Sequence, residues 1–412
     1  MSTPSAETGM VIVGAGECGT RAAFALRENG WEGRITLVGA EPDAPYERPP
    51  LSKTWTHKPI CDDADLRTSD ITFLAGTEVV DLDTAAHELT LGDGSRLGYH
   101  RLLLATGARA RPLPLPLPGA AVHLVRTHAD AKALRAELSA GIRVGVIGGG
   151  FIGLELAAAA SALGATVTVL ELAPRLMGRA VPARIAAELA ARHAAAGIDV
   201  RCGTAVTDIA DTAGGILVGL ADATSIEVDV LVAGVGALPD TTLAEKASLD
   251  TDDGILVDGR LRTSVPDVFA AGDCCRFPHP LYPGRALRLE SWRAAQDHGN
   301  HAARSMLGAA DAYARVPWFW SDQHDLSLQV AGLTTAATRE VVRTRTDGVE
   351  IWFGLADDGR LVAAAAVGPG NAVAKDVRLA EMLIAAEAVP DPAALNDPSV
   401  TLRSILRAPI PV

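Results

Sequence analysis

Met10–Gly19, MVIVGAGECG, reads as a short buried strand that runs into a glycine turn and opens a helix. Gly14, Gly16 and Gly19 keep the G-x-G-x-x-G spacing. The first glycine makes the turn tight, the second lets a pyrophosphate approach the backbone, and the third lets helix and strand pack closely. A phosphate held there rests on helix N–H groups that have no partner inside the helix. Arg21–Asn29 continues the helix to Gly30, and Arg34–Gly39 (RITLVG) supplies a second strand. Glu41 follows at about the distance where an acid grips a ribose hydroxyl.

The same pattern returns at Val144–Leu156, VGVIGGGFIGLEL, with Gly148, Gly150 and Gly153 in register and a strand, Thr166–Glu171 (TVTVLE), that again ends in an acid, Glu171. One fingerprint is weak evidence, since a glycine-rich strand-to-helix turn also packs without a ligand. Two, each with its acid, imply two dinucleotides in one chain. That is the pattern of a flavoprotein fed by a nicotinamide cofactor.

A chain of 412 residues has room for two or three domains of about 100 to 200 residues each. Apolar residues make up 48%, as in a globular protein, and the net charge of -13 argues against nucleic acid or an anionic membrane surface as the main partner. The N-terminal MSTPSAETG carries neither a basic leader nor an apolar core, and no apolar run is long enough to span a bilayer, so a soluble cytoplasmic protein is expected. Cys18, Cys61, Cys202, Cys274 and Cys275 are an odd number without C-x-x-C or zinc spacing, which fits a reducing compartment. Cys274 and Cys275 read as small buried residues after a strand. His298 and His301 share a helix face without a third ligand nearby; a solvated face is expected there, and no metal site.

Pro45–Lys53 (PYERPPLSK) reads as a rigid proline loop that is neither helix nor central strand and holds Arg48 and Lys53 over something. Ile71–Leu91 alternates like strand, with a turn at Gly92–Ser95. Arg101–Gly107 (RLLLATG) is a buried strand whose small-residue end, Thr106 and Gly107, allows a ligand to come close. Pro112–Pro118 (PLPLPLP) is an extended linker. Thr263–Asp273 (TSVPDVFAAGD) reads as a strand presenting Asp273 at its C-terminal end, and Ser291–Leu307 as a helix whose positive end, beside Glu290 and Trp292, faces negative charge on a reduced flavin. From Pro317 the composition changes to strands followed by a helix over Val373–Glu387. The expected fold class is α/β: two Rossmann-like nucleotide-binding domains, residues 1–111 with 236–316 and residues 112–235, plus a C-terminal α+β domain over 317–412.

Taken together, VIVGAGECG, PYERPPLSK, LLLATGARARPLPLPLPG, VIGGGFIGLELA, GVGALPDT, VFAAGDC and PWFWSDQ occur in order along nearly the whole chain. In these motifs the chain resembles the FAD- and NADH-dependent ferredoxin reductases that serve bacterial cytochrome P450s and aromatic-ring dioxygenases, within the glutathione-reductase-like superfamily. PYERPPLSK and PWFWSDQ discriminate far better than the glycine fingerprints, which the whole superfamily shares. The resemblance implies FAD on the first unit, NADH on the second, and a C-terminal domain that shields the flavin and helps seat a [2Fe-2S] ferredoxin. It marks Gly14, Gly16, Gly19, Glu41, Arg48, Lys53, Thr106, Gly107, Asp273, Glu290, Trp292 and Trp320 as flavin-side positions. Gly148, Gly150, Gly153 and Glu171 fall on the NADH side. Lys53 resembles a lysine close to flavin N5, and Glu155 the acid that pairs with it near the nicotinamide; these two are the catalytic candidates.

Two other readings stay open. A flavin disulfide reductase or NADH oxidase would need a redox cysteine after the first unit; PYERPPLSK has none, Cys61 lies well past it, and a reactive Cys18 would face the pyrophosphate. A redox sensor resembling apoptosis-inducing factor would bind both cofactors without turnover. For the acceptor, Trp318–Val412 offers eight Lys and Arg against twelve Asp and Glu, so attraction for an acidic ferredoxin needs a local cluster, with Arg48, Lys58, Arg304, Arg315 and Arg339 as candidates. The oligomeric state, monomer or homodimer, is left open.

Overall fold

A computed structural model of the chain describes residues 8–116, 122–178 and 180–407. It resolves into two compact units. One takes in the chain up to Glu47, His57–Arg109 and Ala237–Arg315; the other takes in Arg48–Thr56, Ala110–Gly236 and the chain from Val316 onward. The end of the proline linker, Leu117 and Pro118, lies outside the described residues.

In the first unit, parallel strands run in the order Ile71–Leu74, Ile35–Val38, Gly9–Val13, Arg96–Leu104, Val268–Ala270. ITLV and GMVIV are buried throughout, as strands covered on both faces must be. Arg96–Leu104 serves two neighbourhoods. Its first half pairs antiparallel with Glu88–Leu91, which pairs with Val79–Asp83, while its second half inserts between Gly9–Val13 and Val268–Ala270. The strand expected over Thr263–Asp273 shrinks to Val268–Ala270 followed by a single 3-10 turn, Gly272–Cys274, because Asp267 (φ 65°) and Gly272 (φ 82°) take left-handed conformations that no strand accommodates.

Helices Glu17–Glu28 and Trp292–Met306 pack on each other so closely that a Cβ on Gly299 would stand 2.5 Å from the carbonyl oxygen of Cys18. This overturns the solvated face expected for His298 and His301. Both are buried, and each meets the Tyr313 ring edge-on, with centroids 4.4 and 5.6 Å away. The helix is covered on that side by Tyr313 and Phe277, which the spacing of its own residues does not reveal. Cys274 and Cys275 are fully buried, as expected.

The second unit repeats the parallel order with Asp199–Cys202, Thr166–Glu171, Arg143–Ile147, Val230–Ala233 and Val122–His123. Val206–Thr212, Gly215–Leu220 and Ser225–Val228 form a small antiparallel sheet. Beyond Val316 comes a five-stranded antiparallel sheet in the order Trp318–Gln323, Leu326–Gly332, Leu361–Pro369, Glu350–Leu355, Arg339–Thr344, backed by helix Ala374–Ala385. Its central strand, LVAAAAVGP, is alanine-rich because small side chains let the helix and strands close over it. Helix Phe151–Ala162 packs on Trp318–Gln323, and helix Ala183–Ala195 on Leu361–Pro369.

PYERPPLSK departs from its expected irregularity. Tyr46–Glu47 pairs with Lys58–Pro59, and Pro49–Ser52 forms one 3-10 turn. Proline at the first helical positions has φ already set and no N–H to leave unpaired, so the dipeptide that forbids a helix interior starts a helical turn well. Among the described residues no helix is long and apolar enough to cross a membrane.

Candidate functional site

Both glycine fingerprints fold into one backbone shape. Gly14 lies at φ 109° and Gly148 at φ 107°, where a side chain would be strained, and an added Cβ would stand 2.1 Å from the Ala105 oxygen and 2.4 Å from the Gly234 oxygen respectively. A Cβ on Gly19 would come within 1.9 Å of the Gly14 oxygen, and one on Gly153 within 2.2 Å of the Gly148 oxygen. Gly16 and Gly150 differ: each caps the following helix without a side-chain hydrogen bond, and nothing lies within 4 Å of where its Cβ would be. The outer glycines serve packing, while the middle one keeps the first-turn N–H groups open to an anion. Both cradles fit a pyrophosphate.

Around the first cradle, Tyr46 Oη donates to the Glu41 carboxylate. Thr106 Oγ1 donates to the Asp240 oxygen at 2.6 Å, and the Asp240 N–H to the Gly107 oxygen at 2.9 Å, which fixes the turn after Arg96–Leu104. Asp273 sits in the Gly272–Cys274 turn, and the Gly272 N–H donates to His298 Nδ1 at 3.2 Å. Burial drives the His298 pKa down to about 3, so its ring stays neutral and Nδ1 stays an acceptor. Cys18 packs inward, 3.0 Å from where a Cβ on Gly272 would lie, and burial pushes its thiol well up. It does not face the cradle as a nucleophile. Ser291 caps helix Trp292–Met306 by accepting from Ala294 N–H at 3.2 Å, Trp292 lies beside the Glu17 carboxylate, and Glu290 is ion-paired with Arg288.

In the second unit the Lys53–Glu155 pair forms. Lys53 Nζ lies 3.2 Å from Glu155 Oε1, with the two side chains 17% and 5% exposed. Ser52 Oγ donates to Glu155 Oε2 at 2.5 Å, and Ser321 Oγ to Oε1 at 2.6 Å. Burial raises the Glu155 pKa, against the opposing pull of Lys53 and the two hydroxyls. Lys53 also lies 3.9 Å from Asp322 and 4.9 Å from the centre of the Trp320 ring, whose Nε1–H donates to Asp322 at 2.9 Å. Three segments thus meet: the 3-10 turn after Pro49, the helix after the second cradle, and strand Trp318–Gln323. Arg48 donates to the Arg126 oxygen at 2.6 Å. Arg48 and Lys53, expected on the flavin side, group with the second unit.

Glu171 is pinned by two backbone donors, Gly149 N–H at 2.5 Å and Ala173 N–H at 2.6 Å. Its carboxylate is held at the rim of the second cradle. Arg175, close enough in sequence to receive a 2′-phosphate, spends its guanidinium on the Val181 and Gly178 oxygens at 2.9 and 2.8 Å. Of the cations expected to steer an acceptor, Lys58 pairs with Glu47 at 2.9 Å and Arg304 with Asp311 at 3.0 Å. Sequence reasoning did not single out Ser52, Ser321 and Gln323, although PYERPPLSK and PWFWSDQ contain them; His193 and His324 gave no signal.

Two parallel-sheet units, each with an open glycine cradle and an acid at or shortly after the end of its second strand, define an oxidoreductase of the two-dinucleotide class. The chain belongs to the pyridine nucleotide-disulphide oxidoreductase family, which matches residues 8–299, and a reductase C-terminal family matches residues 318–406. It is 44% identical to the ferredoxin–NAD(+) reductase component of the anthranilate 1,2-dioxygenase system of Burkholderia cepacia, over 96% of this chain and 98% of that protein. It is 38% identical to the corresponding component of the p-cumate 2,3-dioxygenase system of Pseudomonas putida, over 96% of this chain and 97% of that protein. Among solved structures it resembles that of the covalent putidaredoxin reductase–putidaredoxin complex, with TM-score 0.90, 33% identity, and coverage of 97% and 98%. Despite the family's name, all five cysteines here are free, and burial lifts the Cys61 thiol to about 11, far from a poised nucleophile.

Proposed function

We propose that this chain is an NADH-dependent, FAD-containing ferredoxin reductase that passes single electrons to a [2Fe-2S] ferredoxin serving a cytochrome P450 or a ring-hydroxylating dioxygenase. The observation that carries this reading is a pair of equivalent open cradles in a chain that aligns end to end with reductase components of dioxygenase systems. The reading gives residues 1–111 and 236–316 to FAD, 112–235 to NADH, and 317–412 to shielding the flavin and seating the acceptor. FAD, when bound, supplies a centre that takes an electron pair as hydride and yields electrons one at a time.

What the protein adds is position and charge. Gly16 and Gly150 would admit the two pyrophosphates and Glu41 and Glu171 would hold ribose hydroxyls; in the first unit Asp273, Thr106 and Gly107 are the proposed flavin contacts, and in the second unit Lys53 and Trp320 are. Glu155 keeps Lys53 oriented, and with both cofactors bound the pair would stand by the reacting groups as positioning residues, the hydride transfer itself needing no protein nucleophile. With FAD bound, the positive end of helix Trp292–Met306 would favour negative charge on the reduced ring. We place the protein in the cytoplasm, a compartment that keeps thiols such as these five reduced.

Stopped-flow mixing tests the whole. NADH should bleach the flavin absorbance, and two equivalents of a [2Fe-2S] ferredoxin should then be reduced, one electron each. The ferredoxin step should slow with added salt while the NADH step barely changes, since exposed charges beyond about 8 Å are screened at physiological ionic strength. Fast flavin reduction with no ferredoxin reduced would move the assignment to an oxidase or a sensor.

A further inference from the structure

Behind Glu155 a buried line of polar side chains continues away from Lys53. Ser321 Oγ donates to Glu155 Oε1 at 2.6 Å, Gln323 Nε2 donates to Ser321 Oγ at 3.0 Å, His193 Nε2 lies 2.9 Å from Gln323 Oε1, and His324 Nε2 lies 3.2 Å from His193 Nδ1. Ser321, Gln323 and His193 are fully buried; His324 is partly exposed. We infer that Ser321, Gln323, His193 and His324 are positioning residues: a one-way hydrogen-bonded chain that orients the Glu155 carboxylate and holds it ionised as the partner of Lys53.

The direction follows from bonding capacity. An ionised carboxylate only accepts, so Ser321 must give it a proton and accept from Gln323 with its lone pair. Gln323 then faces Ser321 with its amide NH₂ and His193 with its carbonyl oxygen. His193 must therefore carry its proton on Nε2 and accept on Nδ1, where only His324 Nε2–H can supply it. Every donor points toward Glu155, and aligned dipoles of this kind strengthen one another in a low-dielectric interior. The arrangement is needed because burial favours the protonated acid. Among the described residues, charged groups flank the two ends of the chain: Lys53 and Asp322 at the inner end, and the Arg192–Asp325 pair, 2.5 Å apart, at the outer end. His324 and His193 are both held neutral by burial, His324 with its pKa lowered to about 4. The chain orients and does not conduct: a glutamine amide has no proton to release and regain across its two ends without becoming an imidic acid.

The inference rests on the proposed function for what the pair does in turnover, but the chain is tested apart from it. In the FAD-loaded protein carrying 13C-carboxyl glutamate, with the Glu155 signal assigned by Glu155→Gln, the titration midpoint of Glu155 should rise in order of proximity. Ser321→Ala should raise it by about one pH unit, the worth of one hydrogen bond to a charged group, Gln323→Met by a few tenths, and His193→Phe by less. His193→Gln, which restores an N–H at the position of Nε2, should return the midpoint to that of the parent, and 15N shifts should show His193 neutral and protonated at Nε2. If Gln323→Met does not fold, Gln323→Leu, which has no N–H for Ser321 and adds no charge, reads the same link. Midpoints unchanged across the series, or His193→Gln as displaced as His193→Phe, would overturn the chain. NADH turnover in the same variants reports on the proposed function separately.

Discussion

Replacing Lys53 with Met removes the charge beside Glu155 while keeping most of the volume. At 3.2 Å, the separation of Lys53 Nζ and Glu155 Oε1, an effective dielectric of about 20 gives an attraction of about 5 kcal/mol, part of which offsets the cost of desolvating both ions. Removing one partner of such a buried pair typically costs about 3 to 5 kcal/mol, because the other is left as an uncompensated charge. Glu155 has an escape, which is to take up a proton, and that makes the loss pH-dependent. Its pKa is already raised by burial, so the folded state binds the proton more tightly than the unfolded chain does. Stability from this group is then fully present at low pH and is lost as pH rises from the unfolded value through the folded one. Without Lys53 the folded value climbs further.

Urea unfolding at pH 5 and pH 8, followed by tryptophan fluorescence with Trp320 only 4.9 Å from the Lys53 amine, is the assay. Lys53→Met should be only slightly less stable than the parent at pH 5, and less stable by about 2 to 4 kcal/mol at pH 8. Adding Glu155→Gln, which removes the stranded charge while keeping an acceptor for one of the two serines and an NH₂ that the other hydroxyl can accept from, should recover most of that loss and eliminate its pH dependence. The double-mutant cycle then gives a coupling of comparable size. A coupling below about 0.5 kcal/mol at both pH values is what a solvent-exposed pair gives, and would refute the reasoning.

His298 carries a second pH dependence. With its folded pKa lowered to about 3, the unfolded chain binds the proton first, so stability should fall as pH drops from about 6.5 toward 3; His298→Asn, which keeps an acceptor for the Gly272 N–H, should flatten the stability curve over that window, and parallel curves would refute it. Glu171, fixed by the Gly149 and Ala173 N–H groups, should favour NADH over NADPH in kcat/KM by at least about tenfold, and Glu171→Gln should move the ratio toward one, since a bond to a charged group is worth about 1.5 to 3 kcal/mol. Anaerobic titration should reach full reduction with one NADH per FAD, before and after thiol alkylation; a requirement for two would revive a disulfide mechanism through a pair of the five cysteines.

The glycine cradles were legible in the sequence because their cause is local. Gly14 at φ 109° and Gly19 facing the Gly14 oxygen are demands of one strand, one turn and one helix, and the residues that meet them stand within six positions. The parallel order of each sheet follows from the same units repeating. His298 and His301 show where local reading stops: spacing tells which residues share a face of helix Trp292–Met306, whereas whether that face is wet depends on Phe277 and Tyr313. Lys53 and Glu155 were found through motif resemblance, and their environment was not. Ser52 reaches Glu155 across 103 positions, Ser321 across 166, and His193 reaches Gln323 across 130. Such contacts are specified by which strand covers the helix after the second cradle, and no periodicity within any one segment encodes that. A buried carboxylate is therefore where sequence reading should be least informative and structure most: its charge state is set by every donor the fold brings to it, and here those donors come from a proline turn, a strand of the C-terminal sheet and, through Gln323, a helix that none of the motifs includes.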